Sequence, residues 1–240
     1  PAREPRMRQI QIAGEAVFID YAGMTLSITD PRSGDVHPGQ VFVAVLSASQ
    51  LIFAEITATQ QKHDWQGSHV RAFAYFGGVP ETLVPDNLKA GVNKPHRYDP
   101  VLNIDYTQLA EHYGVAVVPA RVRTPRDKSL AENAVQIIER EVLAPLRHHT
   151  FFTLDEANAA LGERLERLNN RPMSDGNESR RVRFEQIERD ALRPLPTQPF
   201  ECAEWRRINV NNRDPDFEWK GVVCEAGKPL GASICVRRRS

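Results

Sequence analysis

Three carboxylates that lie far apart in the sequence carry the clearest chemical signal of this chain. Asp20 closes the apolar run Ala16–Ile19. Asp86 closes the run Thr82–Pro85, and Glu132 lies in the first turns of a predicted helix. If the fold brings the three side chains together, they form the kind of oxygen site that Mg²⁺ prefers. Two such ions about 4 Å apart can activate an attacking oxygen and stabilise a leaving one, which indicates chemistry on phosphodiesters.

Each of these acids also has a plainer interpretation. An aspartate at the end of a strand is commonly a turn or cap residue, and a glutamate in the first turn of a helix favours the helix dipole. Spacing alone does not choose among the acids of this chain. Seven others are plausible solvated groups: Asp30, Asp35, Asp64, Asp99, Asp105, Asp127 and Glu139.

Length and composition limit the class of protein. The chain has 240 residues, 41% of them hydrophobic and 26% charged, which allows one large domain or a domain with an appendage. We find no apolar run long enough to cross a bilayer and no signal peptide, so we expect a cytoplasmic protein without membrane contact. The first six residues resemble a linker and lack an initiator Met, and we therefore expect a fragment of a longer protein.

Cysteine content and charge are less informative. All three cysteines fall in the last forty residues and lack CxxC spacing, so the sequence indicates neither a disulfide framework nor a zinc site. We expect reduced thiols. The formal net charge is zero, which gives no support for a nucleic-acid partner but does not exclude one, because local patches matter more than the sum.

Hydrophobic periodicity predicts a mixed α/β domain. The predicted strands are two within 16–29 joined by a bend, then 41–46, 51–58, 82–84 and 115–118. Four helices are predicted. The first begins at Asp64, which can cap it, and the second spans 103–113. The third begins at the cap Asp127 and runs as far as Pro145, and the fourth begins at the capping box Thr153–Glu156. Three antiparallel strands followed by alternating helices and strands predict a mixed five-stranded sheet flanked by helices, with a helical extension. This is the order of the ribonuclease-H-like fold.

That topology would place two of the acids side by side. The first and fourth strands of the sheet are neighbours, so Asp20 and Asp86 would meet at its centre, and the helix after the fifth strand could lay Glu132 across them. We predict four segments along the chain: a linker-like segment 1–14, a catalytic core 15–170, a linker 171–199 that is rich in proline, and an irregular or β-structured tail 200–240.

Several linked motifs resemble a known family. They are "FIDYAG", "FFGGVPETLVPDNLKAGV", "YDPVLNIDYTQLAEHYGVAVVPARVRTPRDKSLAENAVQIIER" and "FFTLDEANAALGERLERLNNRP". Over roughly residues 3–208 the chain resembles the catalytic core of IstA-type insertion-sequence transposases, which belong with the retroviral integrases to a group with an acidic DDE triad. The resemblance implies that Asp20, Asp86 and Glu132 are catalytic and hold two Mg²⁺ or Mn²⁺ ions. The implied activity is 3′-end processing and strand transfer at transposon ends.

The resemblance also implies partners. These are the DNA of the transposon ends and of the target, a homo-oligomer that pairs two DNA ends, and a helper ATPase. Polar and basic residues near the predicted site could hold phosphates, or could form a solvated loop face: Asn87, Lys89, Lys94, Arg121, Arg123, Arg126 and Lys128.

The chain departs from the family pattern at both ends. No helix-turn-helix region precedes the core, and the tail from Asn212 does not follow the small β-barrel that family members usually carry. Two alternative functions therefore stay open. One is a ribonuclease-H-like nuclease that only hydrolyses, with water as the attacker. The other is an inactive transposase remnant that binds nucleic acid or a partner subunit.

Overall fold

The chain forms two compact units, Pro1–Phe200 and Glu201–Ser240, in a computed structural model. The structure describes residues 11–85, 92–94, 101–102, 104–118, 125–174, 176–209, 216–219, 222–225 and 233–239. No helix in this described part of the chain is long and apolar enough to cross a membrane.

The first unit contains eight described strands and six described α-helices. The strands are β1 (Ala16–Tyr21), β2 (Leu26–Thr29), β3 (Val36–Leu46), β4 (Ile52–Thr57), β5 (Thr82–Pro85), β6 (Val92–Lys94), β7 (Val101–Leu102) and β8 (Ala116–Val117). The helices are α1 (Lys62–Phe76), α2 (Ile104–Tyr113), α3 (Pro125–Ile138), α4 (Ala144–Leu146), α5 (Leu154–Asn170) and α6 (Arg180–Arg183). Two π-helical turns, Glu139–Leu143 and Phe184–Glu188, and a 3₁₀ turn, Arg189–Ala191, complete the helical part.

The main sheet has the predicted mixed order. β3 pairs antiparallel with β1, β2 and β4, whereas β1 pairs in parallel with β5, and β5 in parallel with β8. Within the described residues the sheet has six strands, and not the predicted five, because β1 and β2 pair with successive parts of β3. Between these two strands Ala22–Thr25 lies opposite only Gln40 and Val41, so the pairing with β3 is interrupted there. The predicted ribonuclease-H-like fold class is confirmed.

Helices cover both faces of this sheet. On one face, which we call the α3 face, Phe18 and Val84 share a buried cluster with Ala131 and Ala134 of α3, and α5 contributes Leu161, Leu165 and Leu168. On the opposite face the aromatic side of α1 packs against Tyr21 and Phe42. Side chains alternate along a strand, so consecutive residues of β1 belong to different faces.

The helix ends follow local chemistry. Thr153 caps α5 as predicted, because its hydroxyl accepts a hydrogen bond from the Glu156 backbone N–H at 3.1 Å. Gly77, with φ of 71°, ends α1 in the left-handed conformation that glycine adopts without strain. Asp64 does not cap α1. It lies in the first turn and accepts from the backbone N–H and the hydroxyl of Thr59 at 2.8 and 2.5 Å.

Residues 171–199, the stretch for which the sequence predicts a linker, carry α6 and the short turns that follow it. Arg193 pairs its backbone with that of Val79 in a β-bridge. Its guanidinium donates to the carbonyl oxygens of Gly114 at 2.6 Å and Pro80 at 2.8 Å. The chain after α6 is therefore hydrogen-bonded to loops that flank β5 and β8, within the same compact unit.

Glu188 is a buried anchor at the end of the sheet where β1 begins. Its side chain is fully buried, and its carboxylate accepts from three backbone N–H groups: Gly14 at 3.4 Å, Ala48 at 3.3 Å and Ser49 at 2.8 Å. One carboxylate thus joins the turn before β1, the β3–β4 hairpin turn and the C-terminal part of the unit. A buried donor that loses its acceptor costs the full desolvation free energy of that group.

A second buried polar pair joins α1 to α2. His69 is completely buried, with Nδ1 2.7 Å from the Trp65 carbonyl oxygen and Nε2 3.2 Å from the Tyr106 hydroxyl. A carbonyl oxygen only accepts, so Nδ1 carries the proton and Nε2 accepts from Tyr106. Burial lowers the pKa of His69 from 6.5 to about 4, although the bond to Trp65 opposes the shift.

The second unit is all β in its described part. It comprises β9 (Ala203–Asn209), β10 (Asp216–Trp219), β11 (Val222–Glu225) and β12 (Ser233–Arg239). β9 pairs antiparallel with β12, and β10 pairs antiparallel with β11. The segment in which the sequence predicts an irregular or β-structured tail therefore has two described antiparallel strand pairs.

We predict that Glu188→Ala lowers the free energy of unfolding by about 3 kcal/mol, because it leaves buried backbone donors without an acceptor. Urea unfolding at neutral pH measures this loss. The matched control is Glu185→Ala, which removes an exposed glutamate of the same turn and should stay within about 0.5 kcal/mol of wild type. Equal stability of the two variants would contradict the anchoring role.

We also predict a pH dependence from His69. Its folded pKa, about 4, lies below the unfolded value of 6.5, so its contribution to stability is complete above pH 6.5. As the pH falls from 6.5 to 4 the unfolded state alone gains the proton, which costs about 3 kcal/mol of stability. Urea unfolding of wild type and of His69→Phe across this range should show their difference in stability shrinking by that amount. A constant difference would show that His69 does not titrate as expected.

Candidate active site

Asp20 lies at the carboxyl end of β1, on the α3 face. Phe18, two residues earlier, belongs to the buried cluster beneath α3, and the period of two places Asp20 on the same side. Tyr21 is on the other side, where its ring packs against Trp65 at 5.7 Å. Asp20 is half-buried, and its Oδ1 accepts from the Tyr21 backbone N–H at 2.8 Å. Asp20 therefore lies where β1 changes from fully buried to partly exposed residues.

Parallel pairing brings the end of β5 beside the end of β1. In the register Phe18 lies opposite Val84, and Ile19 lies opposite Pro85. Val84 belongs to the same buried cluster on the α3 face. The predicted second acid, Asp86, is the next residue in the sequence after Pro85 but lies outside the described residues, so its role stays a prediction.

Glu132 lies on the helix that covers this face. α3 packs against β1 and β3, and the small side chains of Ala131 and Ala134 are buried at the contact. Alanines at these positions allow the helix to approach the sheet closely. Glu132 itself is exposed, beside this contact. Among the side chains that the structure describes, which do not include Asp86, no three histidines, cysteines or acids gather in a metal-binding group.

Glu139 ties this helical region to the chain that follows Asp20. Its Oε1 accepts from the backbone N–H of Met24 at 2.9 Å, within the interruption between β1 and β2. The sequence predicted Glu139 only as a solvated acid. The signal that could have singled it out is its spacing of seven residues from Glu132, which puts both acids on one side of the helix.

The helix changes its hydrogen bonding at Glu139. A π-helical turn spans Glu139–Leu143, in which the backbone N–H of Ala144 donates to the Glu139 carbonyl oxygen. Pro145 follows, and the helix ends at Leu146. Proline has no N–H and crowds the preceding turn, so the sequence predicted a kink or an end at this position. π-helical turns occur frequently at functional sites.

Tyr21, the neighbour of Asp20, is not suited to proton transfer. The pKa of its hydroxyl is raised to about 12, mainly by burial and to a smaller extent by the nearby carboxylates of Asp64 and Glu55. The hydroxyl therefore stays protonated at neutral pH. Thr57 lies close to the hydroxyl and opposes the shift, but burial is the larger effect.

The predicted nucleic-acid contacts are placed only in part. Lys94 lies in β6, and Arg126 and Lys128 lie in the first turns of α3, where the description covers the backbone. The remaining candidates lie outside the described residues: Asn87, Lys89, Arg121 and Arg123. Their contacts with phosphates stay predictions.

The sheet order, the helices on both faces and the acid at the end of β1 define a ribonuclease-H-like fold. One chain of the cryo-EM structure of the simian T-cell lymphotropic virus intasome in complex with PP2A regulatory subunit B56 gamma matches with a TM-score of 0.55, at 13% identity over 96% of this chain and 71% of that one. The HTLV-2 integrase catalytic core domain in complex with magnesium, in its dimeric form, matches with a TM-score of 0.50, at 15% identity over 72% of this chain and 97% of that one. Both similarities concern the fold.

Sequence similarity identifies the family within this class. Residues 19–125 match the family described as integrase core domain. A protein of Sinorhizobium fredii, named as a candidate transposase, is 48% identical over 210 residues, which cover 88% of this chain and 40% of that protein. The transposase for insertion sequence element IS21 of Pseudomonas aeruginosa is 31% identical over 137 residues, covering 57% of this chain and 34% of that protein. Residues 19–125 therefore match an integrase core domain, and the chain is similar to insertion-sequence transposases over most of its length.

The chain spans about 40% of the length of several curated relatives that it matches. One further relative, from insertion sequence element IS5376 of Geobacillus stearothermophilus, is 26% identical over 237 residues that cover 97% of this chain and 56% of that protein. This alignment must extend well into residues 201–240. The similarity therefore includes most of the second unit as well as the core.

Proposed function

We propose that this chain is the catalytic core of a DNA transposase, which cleaves a phosphodiester at each transposon end and joins the freed 3′ end to target DNA. One observation carries the proposal. Asp20, in an integrase core, lies near the end of β1 beside the end of β5, on the face that is covered by the helix bearing Glu132. Two acids of the predicted triad, Asp20 and Glu132, thus lie on elements that pack against each other.

The donor set fits a hard divalent cation. Asp20 and Glu132 supply carboxylate oxygens on the same side of the sheet, and Asp86 follows β5 in the sequence. Neighbouring strands lie about 4.8 Å apart, so acids at adjacent strand ends can share a metal site. When bound, two Mg²⁺ or Mn²⁺ ions would activate the attacking oxygen and stabilise the leaving oxygen of an in-line displacement.

All three acids would act as metal ligands. Asp20, Asp86 and Glu132 would each supply carboxylate oxygens that hold the ions. Three clustered acids repel one another without a cation, so the site would favour binding of metal. Tyr21 would remain neutral beside Asp20 and take no part in proton transfer.

DNA would be held by the polar and basic residues of the flanking segments. Lys94 lies in β6, and Arg126 and Lys128 lie in the first turns of α3. Phosphate contacts from such residues would fix the position of DNA without reading its sequence. We include in this interface the candidates outside the described residues, Asn87, Lys89, Arg121 and Arg123. We further propose that the full protein pairs two DNA ends as a homo-oligomer and works with a helper ATPase.

A branched DNA substrate would separate joining from hydrolysis without knowledge of the transposon ends. A short 5′-labelled strand with a 3′-hydroxyl is annealed next to a phosphodiester branch. Attack by that hydroxyl lengthens the labelled strand, whereas a nuclease only shortens strands. We predict a lengthened product with Mg²⁺ or Mn²⁺, and exclusively shortened products would favour the hydrolytic alternative.

The same reaction tests the acids. Asp20→Asn and Glu132→Gln should each lower the rate of the lengthening reaction about a hundredfold or more, because a metal ligand is lost. Glu163→Gln, which alters an exposed glutamate on α5, should leave the rate unchanged. Normal activity of Asp20→Asn would overturn the assignment of the site.

Metal binding can be tested without DNA. Ligand that binds only the folded state stabilises it, by about 2.7 kcal/mol at a hundredfold excess over Kd, and we predict that Mn²⁺ raises the Tm of wild type by about 5 °C. Asp20→Ala should abolish this rise, and Asp35→Ala, at an exposed turn, should retain it. An equal response of wild type and Asp20→Ala would contradict a metal site at Asp20 and favour an inactive remnant.

A further inference from the structure

Glu139 reaches from the helical region after α3 to the strand that carries Asp20. Its carboxylate accepts from the backbone N–H of Met24 at 2.9 Å. A side chain at Gly23 would begin 3.5 Å from the same oxygen, so the backbone of this turn runs close beside Glu139. The contact is partly buried and spans 115 residues of sequence. It is therefore a tertiary contact, and not a helix cap.

The Met24 bond closes the interruption between β1 and β2. Ala22–Thr25 carries two more residues than the part of β3 opposite it, so regular pairing cannot hold it. Two hydrogen bonds are described there: Ala22 N–H donates to the Val41 carbonyl oxygen at 2.9 Å, and Met24 N–H donates to Glu139. Without the carboxylate, the turn that begins two residues after Asp20 would keep one of these two bonds.

The same carboxylate constrains the position of Glu132. Seven residues make two helical turns, about 10.5 Å, and return to nearly the same side of the helix. Through its hydrogen bond with Met24, Glu139 therefore holds the side of the helix that carries Glu132 close to the segment that follows Asp20. The π-helical turn begins at Glu139, so this contact is made where the α-helical repeat ends.

We propose that Glu139 is a positioning residue, which sets the separation of Asp20 and Glu132 and thereby the affinity of the site for divalent cations. The inference rests on the proposed function of the core. Glu139 acts through its hydrogen bond to Met24 and contributes no ligand. A carboxylate oxygen and an amide oxygen both accept from an N–H, so the role needs an acceptor at this position and not a negative charge.

This distinction gives the test. Glu139→Ala removes the acceptor, and Glu139→Gln keeps an acceptor while it removes the charge. Residues that orient metal ligands typically contribute ten- to a hundredfold in metal affinity, so we expect Glu139→Ala to weaken Mn²⁺ binding about tenfold. Glu139→Gln should stay within about twofold of wild type. Binding is followed by electron paramagnetic resonance of free Mn²⁺, which requires neither DNA nor turnover.

A matched control separates positioning from general loss of stability. Glu141 lies in the same π-helical turn and forms ion pairs with Arg140 and Arg171, both at 3.0 Å. Glu141→Ala therefore removes a glutamate and its contacts from this turn without touching Met24. We expect its Mn²⁺ affinity to match wild type. If Glu139→Ala does not fold, Glu139→Asp, with a carboxylate one methylene too short for Met24, replaces it.

Hydrogen exchange of the Met24 amide reports on the contact in the metal-free protein. We expect slow exchange in wild type and Glu139→Gln, and faster exchange in Glu139→Ala. Wild type that binds Mn²⁺ no more tightly than Glu139→Ala would overturn the positioning role, and so would a Glu139→Gln variant as weak as Glu139→Ala. Wild type that binds no Mn²⁺ would overturn the proposed function and this inference with it.

Discussion

The parallel pairing of β1 with β5 is the constraint on which the site depends. The register from Ala16↔Thr82 to Ile19↔Pro85 joins segments that are 66 residues apart in sequence. It makes both strands end at one edge of the sheet, the edge at which Asp20 lies. A slip of one residue would turn every side chain of β1 to the opposite face, with Phe18 and Asp20 moved away from α3.

The two faces of the sheet have different roles. On the face opposite the α3 face, helix α1 packs with aromatic rings and with the buried pair His69 and Tyr106, which are hydrogen-bonded to each other. The α3 face is lined near the site by small side chains, Ala131 and Ala134, and carries an exposed Glu132 beside them. Close packing on one side thus supports the edge where Asp20 lies on the other, as the proposed metal site would require.

Local sequence patterns predicted most of the elements. Apolar runs of four to eight residues marked the strands, Gly77 marked the end of α1, and Thr153 with Glu156 marked the start of α5. The order of these elements was sufficient for the ribonuclease-H-like fold, because few topologies accommodate three antiparallel strands followed by two helix–strand units. The motif resemblance then indicated an integrase core, and residues 19–125 match that domain.

Long-range polar contacts could not be predicted in this way. Glu139 and Glu188 each resemble an ordinary helical glutamate in sequence, and each accepts a hydrogen bond from a backbone more than 100 residues away. The prolines and charges of residues 171–199 likewise predicted a linker. They gave no indication that Arg193 donates hydrogen bonds to the carbonyl oxygens of Gly114 and Pro80. Such roles depend on which backbone N–H or carbonyl groups come within 3.5 Å, and periodicity carries no information about that.

The sequence by itself determined the alternation that turns Phe18 and Asp20 to one side, the local caps of the helices and the chemical identity of the candidate acids. These properties are local, since they follow from the geometry of a strand or a helix and from the side chain itself. Only the tertiary structure decided which face of the sheet α3 covers, where pairing along β3 is interrupted, and which acid holds the turn after Asp20. Those outcomes arise from packing and backbone hydrogen bonds between distant segments, which exist only once the chain has folded.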